Sequence, residues 1–568
     1  MLNPLIFLTD PHLLDVRGRA LECLGHVAVA IGKEHFEQYF TVGLQSALDG
    51  TKAEGALCEY SYTYIANTAK VMGDTFNDHL PSLVPHLLDV IRESELSAFT
   101  DEDDVLADDS DEEDDDDSEG NFHLNVEEGF INSKKAALSA IGSLAEHTGA
   151  AFFPFLEDTL NTIIAERVGV VYSFHRIIRA EAYMALQYLL KVACKTGEIE
   201  PPDKGELIQM DPIVTEVSHV VITSFLTAMV EDIEMLPASY AIEGLMGALE
   251  MVGVAGLTLC DKETNVAYGD ALVDHIGIIL KEKAASQTMQ NKDEEDDDED
   301  ADHDNLVMDA TCDLISGMAK VIGAGFVQYF EKFKKPLLKY TKPSRSYSDR
   351  AMVIGCYAEV MKEIGSDSAK YADAIFPVVQ VGLTDSMEAV RRNSAYCVGV
   401  LAEILPSDSL APHVPQLLQW LHPLCMRNTD EVMTDVGGAD VDNALSAVAR
   451  IMKSCMSAVP IQHVLPVLLN AMPLRSDYNE AIFIYEVLAH LIQENEPTTL
   501  SMMPQVLSVF AQAISEESKY QDEVKVLVVS CLNFMSTSAQ HQPIVGAALQ
   551  QLAEQPAVVQ VLQAAISP

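Results

Sequence analysis

Basic residues are scarce in this chain. There are 36 Lys and Arg against 87 Asp and Glu, a formal net charge of −51 at pH 7 over 568 residues. A field of that sign repels nucleic acid and anionic lipid and attracts basic proteins. Tryptophan occurs once, at Trp420, after Leu417-Leu418, and reads as core. The ten cysteines form no Cys-x-x-Cys, which removes zinc-ribbon and thioredoxin-like readings. Most lie on apolar helix faces, as Cys23, Cys312 and Cys397 do, and are expected to be buried thiols in a reducing compartment. There is no Gly-rich phosphate loop, no Gly-x-Ser-x-Gly and no His-Glu-x-x-His, and the 16 histidines are scattered. No enzyme activity, catalytic residue, metal or cofactor is expected. The longest uncharged apolar stretch, near Val220 to Val230, falls short of the ~20 residues of a membrane span. Met1-Leu2-Asn3-Pro4 lacks a basic leader. A soluble intracellular protein is expected, with no membrane and no nucleic-acid partner.

What is present is a repeated phrase. It reads Asp15-Val16-Arg17-Gly18-Arg19-Ala20-Leu21 in one copy and Ile178-Arg179-Ala180-Glu181-Ala182 in a second. A third copy is Ala389-Val390-Arg391-Arg392-Asn393-Ser394-Ala395. Copies return about every 40–50 residues, the period of helical solenoids, which bind rather than catalyse. Each unit reads as two amphipathic helices. The first often carries proline in its opening turn, as in Leu80-Pro81-Ser82-Leu83, where a missing N–H costs little. In the second, a small residue permits close approach and Leu or Val three and four places on makes the buried stripe.

Second helices are expected to start near Asp15, Glu54, Ser133, Phe174, Asp232, Asn305, Ser346, Glu388, Asp440, Tyr478 and Asp522, with one terminal helix after Ile544 as a cap. The fold class is therefore all-α, a single solenoid over 1–568 of about eleven to twelve antiparallel helix pairs. Two acidic tracts interrupt it. Asp101 to Glu119 holds 14 acids and Asp293 to Asp304 holds 10, neither with a Lys or Arg, leaving −27 for the rest. Both read as disordered loops between the two helices of a unit, over 101–120 and 291–304, suited to covering basic partners. Lys195 to Asp211 and Asn428 to Asp440 read as longer loops. Leu5-Ile6-Phe7-Leu8 reads as the tail of a helix already under way, and the chain as the C-terminal part of a longer protein.

The phrase running Asp385 to Ser394 looks like a HEAT repeat. The acidic array with acidic loops inside its units resembles the importin-β (karyopherin-β) superfamily, most nearly the C-terminal half of an importin-4-type receptor. The segments that carry the likeness are Tyr347 to Gly365, Val390-Arg391-Arg392-Asn393 through Glu403, and Asp442-Asn443 through Ala449-Arg450. The resemblance implies a right-handed superhelix with second helices lining the concave face. It implies a nuclear import receptor, in cytoplasm and nucleus, that binds basic cargo such as core histones with lysine-rich tails and ribosomal proteins, with a histone chaperone as a further partner. It also implies nucleoporin contacts, and Ran GTPase contacts made mainly by an N-terminal half. A HEAT scaffold, or a histone-chaperone-like protein without transport, is the alternative.

Counted from each helix start, Asp349, Asn393, Asn443 and Glu480 fall at roughly equivalent places. On stacked helices such places form a polar ladder, and Asn479 stands beside Glu480. Asn pairs with peptide amides and carboxylates take lysine ammonium groups, so the ladder suits an extended basic peptide. By resemblance this is where the importin-4 type holds a lysine of a histone tail. Glu359, Tyr396 and Glu403 lie near the same stripe as flanking contacts. Asn or Asp early in a helix also serves as a cap. The recurring arginines Arg17, Arg179 and Arg391 are expected to bond to carboxylates or carbonyls of a neighbouring turn.

Overall fold

The computed structural model describes residues 4–53, 56–93, 128–289, 306–427, 438–516 and 518–566. Both acidic tracts, and the loop expected to open at Asn428, lie mostly or wholly outside them. The chain divides into two compact units, Met1–Ile322 and Gly323–Pro568.

The first unit contains helices α1 (Leu14–Gly50), α2 (Ala56–Met72), α3 (Leu80–Arg92), α4 (Glu128–Thr148), α5 (Leu156–Ile164), α6 (Arg176–Thr196), α7 (Pro212–Glu231), α8 (Met235–Thr258), α9 (Tyr268–Ile279) and α10 (Leu306–Ile322). The second contains α11 (Val327–Leu337), α12 (Tyr347–Ile364), α13 (Ala372–Gly382), α14 (Glu388–Ile404), α15 (Val414–Cys425), α16 (Ala439–Cys455), α17 (Ile461–Ala471), α18 (Ala481–Gln493), α19 (Met503–Ser515), α20 (Asp522–Thr537), α21 (Gln542–Gln551) and α22 (Pro556–Ile566). No strand occurs among the described residues. The second helices start within a few residues of the places set by the phrase, α4 being the largest departure. The end of the chain carries two helices, α21 and α22, where the sequence suggested one.

Second helices pack on second helices in chain order. In the first unit α2 lies between α1 and α4, and α6 between α4 and α8; in the second, α14 lies between α12 and α16. This is the stacking of a solenoid. In α14 the stripe Val390, Ala395, Cys397, Val398, Val400, Leu401 and Ala402 is almost wholly buried. Emptying one such position, as by Leu401→Ala, costs about 2–5 kcal/mol.

The passage from a second helix to the next first helix is made by a repeated device. Gly32 interrupts α1 at φ 73°, so Leu14–Gly50 is two helices meeting at a bend. Gly365 ends α12 at φ 75°. Glycine enters that left-handed region without the cost of a Cβ. Start signals are equally local: Asp211 accepts the Ile213 N–H ahead of Pro212 in α7, and Ser346 accepts the Asp349 N–H at α12.

Three expectations change. Cys23 is exposed, because the first second helix has no described neighbour on that side; Cys312 and Cys397 are buried as expected. Trp420 is only half-buried on α15. Three helical runs, α7, α8 and Leu306–Leu337, are long and apolar enough to cross a membrane by length and composition. The sequence count missed them because scattered polar residues break each run. At least half of each window is buried inside the protein, as expected of helices packed in a stack.

Candidate functional site

The arginines of the phrase latch neighbouring repeats. Arg179 at the start of α6 holds both Asp232 carboxylate oxygens at 2.8 Å, Glu234 at 2.8 Å and the Ser173 carbonyl at 2.8 Å. Arg350 of α12 grips Asp385 of the following turn, its closest contact 2.8 Å. Arg391 of α14 bonds Asp440 at 2.6 Å and the carbonyls of Asp385 and Ser386. Arg17 donates to the Ser46 carbonyl at 2.8 Å. The latches of Arg179, Arg350 and Arg391 join a helix start to the turn of the next repeat, whereas Arg17 reaches Ser46 inside the second part of α1 rather than the turn that was expected.

The helix starts of α16 and α18 are tied in the same manner by carboxylates. Glu388 accepts the Gly438 and Ala439 N–H groups at 3.0 Å, capping α16 from the neighbouring repeat. Asp442, fully buried, accepts the N–H groups of Arg475, Ser476 and Asp477 at 2.8–3.1 Å. Burial pushes its carboxyl above the usual range, against the pull of those amides.

All eight candidate residues lie in the second unit, and they separate into two groups. Asp349, Asn443 and Glu480 are buried. The Asn443 amide donates to the Ala439 carbonyl and to Asp477, both at 2.9 Å. Asp349 lies in the capping turn of α12, 4.0 Å from the Arg345 guanidinium. Glu480 faces inward and takes the Arg450 guanidinium at 2.7 Å and the Ser446 hydroxyl. Burial raises its carboxyl above the ordinary range, opposed by Arg450.

The remaining residues are more accessible. Asn393 is half-buried and donates to the Ala351 carbonyl at 2.7 Å, joining α14 to α12. Asn479 is exposed and meets Gln521 at 2.9 Å. Glu403 is exposed, 3.3 Å from Arg450. Tyr396 donates its hydroxyl to Glu359 and accepts from Lys362 at 3.1 Å. Desolvation, with the Glu359 bond, drives the Tyr396 phenol far above its usual pKa.

Four of the eight therefore lie in one chain of contacts, Tyr396 joining it to Arg450 through its ring and the others through polar atoms. It runs from Glu359 on α12 through Tyr396 and Glu403 on α14 and Arg450 on α16 to Glu480 before α18. The sequence reading missed its centre. Arg450 has a side chain 3% exposed, with its guanidinium 3.7 Å from the Phe483 ring centroid and 5.3 Å from that of Tyr396. The signal was available: an arginine set in the apolar run Val448-Ala449-Arg450-Ile451-Met452 must find carboxylates inside the stack. Among the described residues no group of three or more metal-ligating side chains is gathered.

The architecture defines a class, the HEAT-repeat solenoid, and the HEAT repeat model matches residues 375–405. The chain is 25% identical over 539 residues to the probable importin subunit beta-4 of Schizosaccharomyces pombe, covering 92% of this chain and 49% of that protein. It is 26% identical over 548 residues to importin-4 of Mus musculus, covering 93% of this chain and 48% of that protein. The solved structure of the karyopherin Kap121p bound to the SUMO protease Ulp1p superposes with a TM-score of 0.64. It has 16% identity and covers 97% of this chain and 49% of that one. Kap121p bound to RanGTP gives 0.64 at 14% identity, covering 97% and 53%. Over nearly its whole length the chain is thus similar to members of the importin-β (karyopherin-β) superfamily and shares the karyopherin solenoid fold. It spans about half the length of the curated relatives it matches.

Proposed function

We propose that this chain is the cargo-binding half of a nuclear import receptor, and that its second unit holds an extended basic segment across the faces of α12, α14, α16 and α18. The observation that carries the reading is the polar chain from Glu359 to Glu480. It crosses consecutive second helices with Glu403 exposed and Glu359 and Tyr396 half-exposed, and the half-buried Asn393 and exposed Asn479 on the same helix starts are proposed to complete it. Carboxylates at successive repeats suit successive lysines, and amides suit the peptide backbone between them. Of the buried candidates, Glu480 backs this chain through Arg450, while Asp349 bonds Ser346 beside Arg345 and Asn443 bonds Ala439 and Asp477.

Relatives named importin-4 and importin subunit beta-4 support the transport reading, as do Kap121p structures with cargo, with the nucleoporin Nup53p and with RanGTP. Core histones and ribosomal proteins are the cargo class the net charge of −51 favours. The tracts over 101–120 and 291–304 add acidic density for a folded basic cargo, while the helix faces take its extended tail. Passage through the pore on nucleoporins, release by Ran through a further N-terminal half, and shuttling between cytoplasm and nucleus complete the proposal.

The test is titration of a lysine-rich histone-tail peptide, followed by calorimetry against salt. Binding at about micromolar Kd with a marked salt dependence is expected, weakened by Glu403→Gln together with Glu359→Gln. If deletion of both acidic tracts abolishes binding while the helix-face changes leave it intact, the helix-face site is wrong. Binding to no basic partner would favour a static scaffold.

A further inference from the structure

Arg450 is surrounded by the groups that would be assembled to recognise a foreign cation. The guanidinium carbon lies over the Phe483 ring, 3.7 Å from its centroid, and 5.3 Å from that of Tyr396. Glu480 accepts at 2.7 Å, Glu403 at 3.3 Å and the Ser446 hydroxyl at 3.3 Å. Two aromatic faces and two carboxylates make a box for a planar cation. The box is also tight on its fourth side: a Cβ at Gly399 would come within 2.9 Å of the Arg450 Cδ, so glycine is needed there for the stem to pass. Four elements contribute, namely α14, α16, the turn at Glu480 and α18.

We propose that Arg450 is a resident cation, a positioning residue that fills this box from within and so decides which carboxylates read the ligand. It withholds Glu480 from any guest and draws on one oxygen of Glu403, leaving the outer face of Glu403 as the group a bound lysine meets first, with Glu359 beyond it shared with Lys362 at 3.6 Å. Affinity for basic segments is thereby held below what the full set of carboxylates would give, which suits a receptor that must also release. This rests on the proposed binding of basic segments, but the box itself does not.

Two measurements separate the two claims. The first is the affinity of a lysine-rich histone-tail peptide for the wild type, Arg450→Gln and Arg450→Gln/Glu480→Gln, each shown to be folded by circular dichroism. Arg450→Gln should bind about threefold to tenfold tighter, with a steeper salt dependence, and the added Glu480→Gln should remove most of that gain. Unchanged or weaker binding by folded Arg450→Gln overturns the proposal. The second uses methylguanidinium with no peptide present. It should raise the melting temperature of Arg450→Ala, or of Arg450→Gln where the alanine variant does not fold. It should not raise that of the wild type or of the double variant. Absence of that rescue shows the box is not a cation site. A wild type that binds no basic peptide, with the rescue intact, refutes the functional reading alone.

Discussion

Arginines occupy two regions of the second helices and do different things there. At helix starts Arg179, Arg350 and Arg391 reach sideways to Asp232, Asp385 and Asp440 of the next turn. The arrangement appears in both units and belongs to the repeat. In the middle of α16, Arg450 joins Glu403, Glu480, Tyr396 and Phe483. Nine residues beyond Arg17, Arg179 and Arg391, the places equivalent to it hold His26, Tyr188 and Val400. A charge that recurs with the period holds the stack together; one that departs from the period marks a place where the stack does something else.

The latches are the part of that contrast whose loss costs most stability. Arg179→Met leaves the Asp232 carboxylate, 5% exposed, without its guanidinium and frees the Ser173 carbonyl. We expect a loss of about 3 kcal/mol in chemical denaturation, partly recovered by Asp232→Asn in the same chain. The same change at Arg391 should cost less, because Arg427 also pairs with Asp440. If Arg391→Met proves the more damaging, the latches are not equivalent and the repeat reading of them fails.

Arg450→Gln is expected to cost about 2 kcal/mol, and the cost should depend on pH. The Glu480 carboxyl is already raised by burial, with Arg450 pulling it down. Removing Arg450 raises it further. A carboxyl whose folded pKa lies above its unfolded one contributes stability that is full below the unfolded value and lost as pH rises through the folded one. The variant should therefore be closest to wild type near pH 5 and furthest from it near pH 8, read from urea midpoints. A deficit that shrinks toward pH 8 would show that Glu480 is not the partner that matters.

Asn443→Ala comes next, at about 1 kcal/mol, because its amide joins the Ala439 carbonyl to Asp477 inside the protein. Asn479→Ala should stay within about 0.5 kcal/mol, since its one contact, to Gln521, is exposed. Comparable losses from the two would mean that the buried and exposed groups of the candidate surface are not distinct.

The fold was legible because its signals are local. A small residue and an apolar stripe recur from copy to copy of the phrase, and the second helices began within a few residues of where it put them. Cys23 and Trp420 were misjudged for one reason: an apolar stripe does not say whether a neighbour covers that side. For the candidate residues the sequence showed a shared stripe but not which way it faces. Equal distance from a helix start gave Asp349, Asn393, Asn443 and Glu480 as the ladder, yet Asp349, Asn443 and Glu480 are buried and only Asn393 is half-exposed. Helical register fixes which residues share a stripe; packing alone decides whether that stripe meets solvent. Arg450 escaped because the sequence carries its carboxylate partners 47 residues before it and 30 after.

The smallest expected effect on stability is the most informative about function. Glu403→Gln removes a carboxylate that is one-third exposed and shares Arg450 with the nearer Glu480. Its loss should cost no more than about 0.5 kcal/mol, in the range of surface ion pairs. In binding, however, Glu403 is one of the carboxylates Arg450 leaves facing outward, so affinity for a lysine-rich peptide should fall about two- to fivefold at low salt. The fall should shrink as salt screens the surface. Latch variants should show the reverse, large in denaturation and flat in peptide affinity. If Glu403→Gln and Arg391→Met move both quantities in parallel, helix starts and helix middles do one job, and the charge that departs from the repeat has no separate meaning.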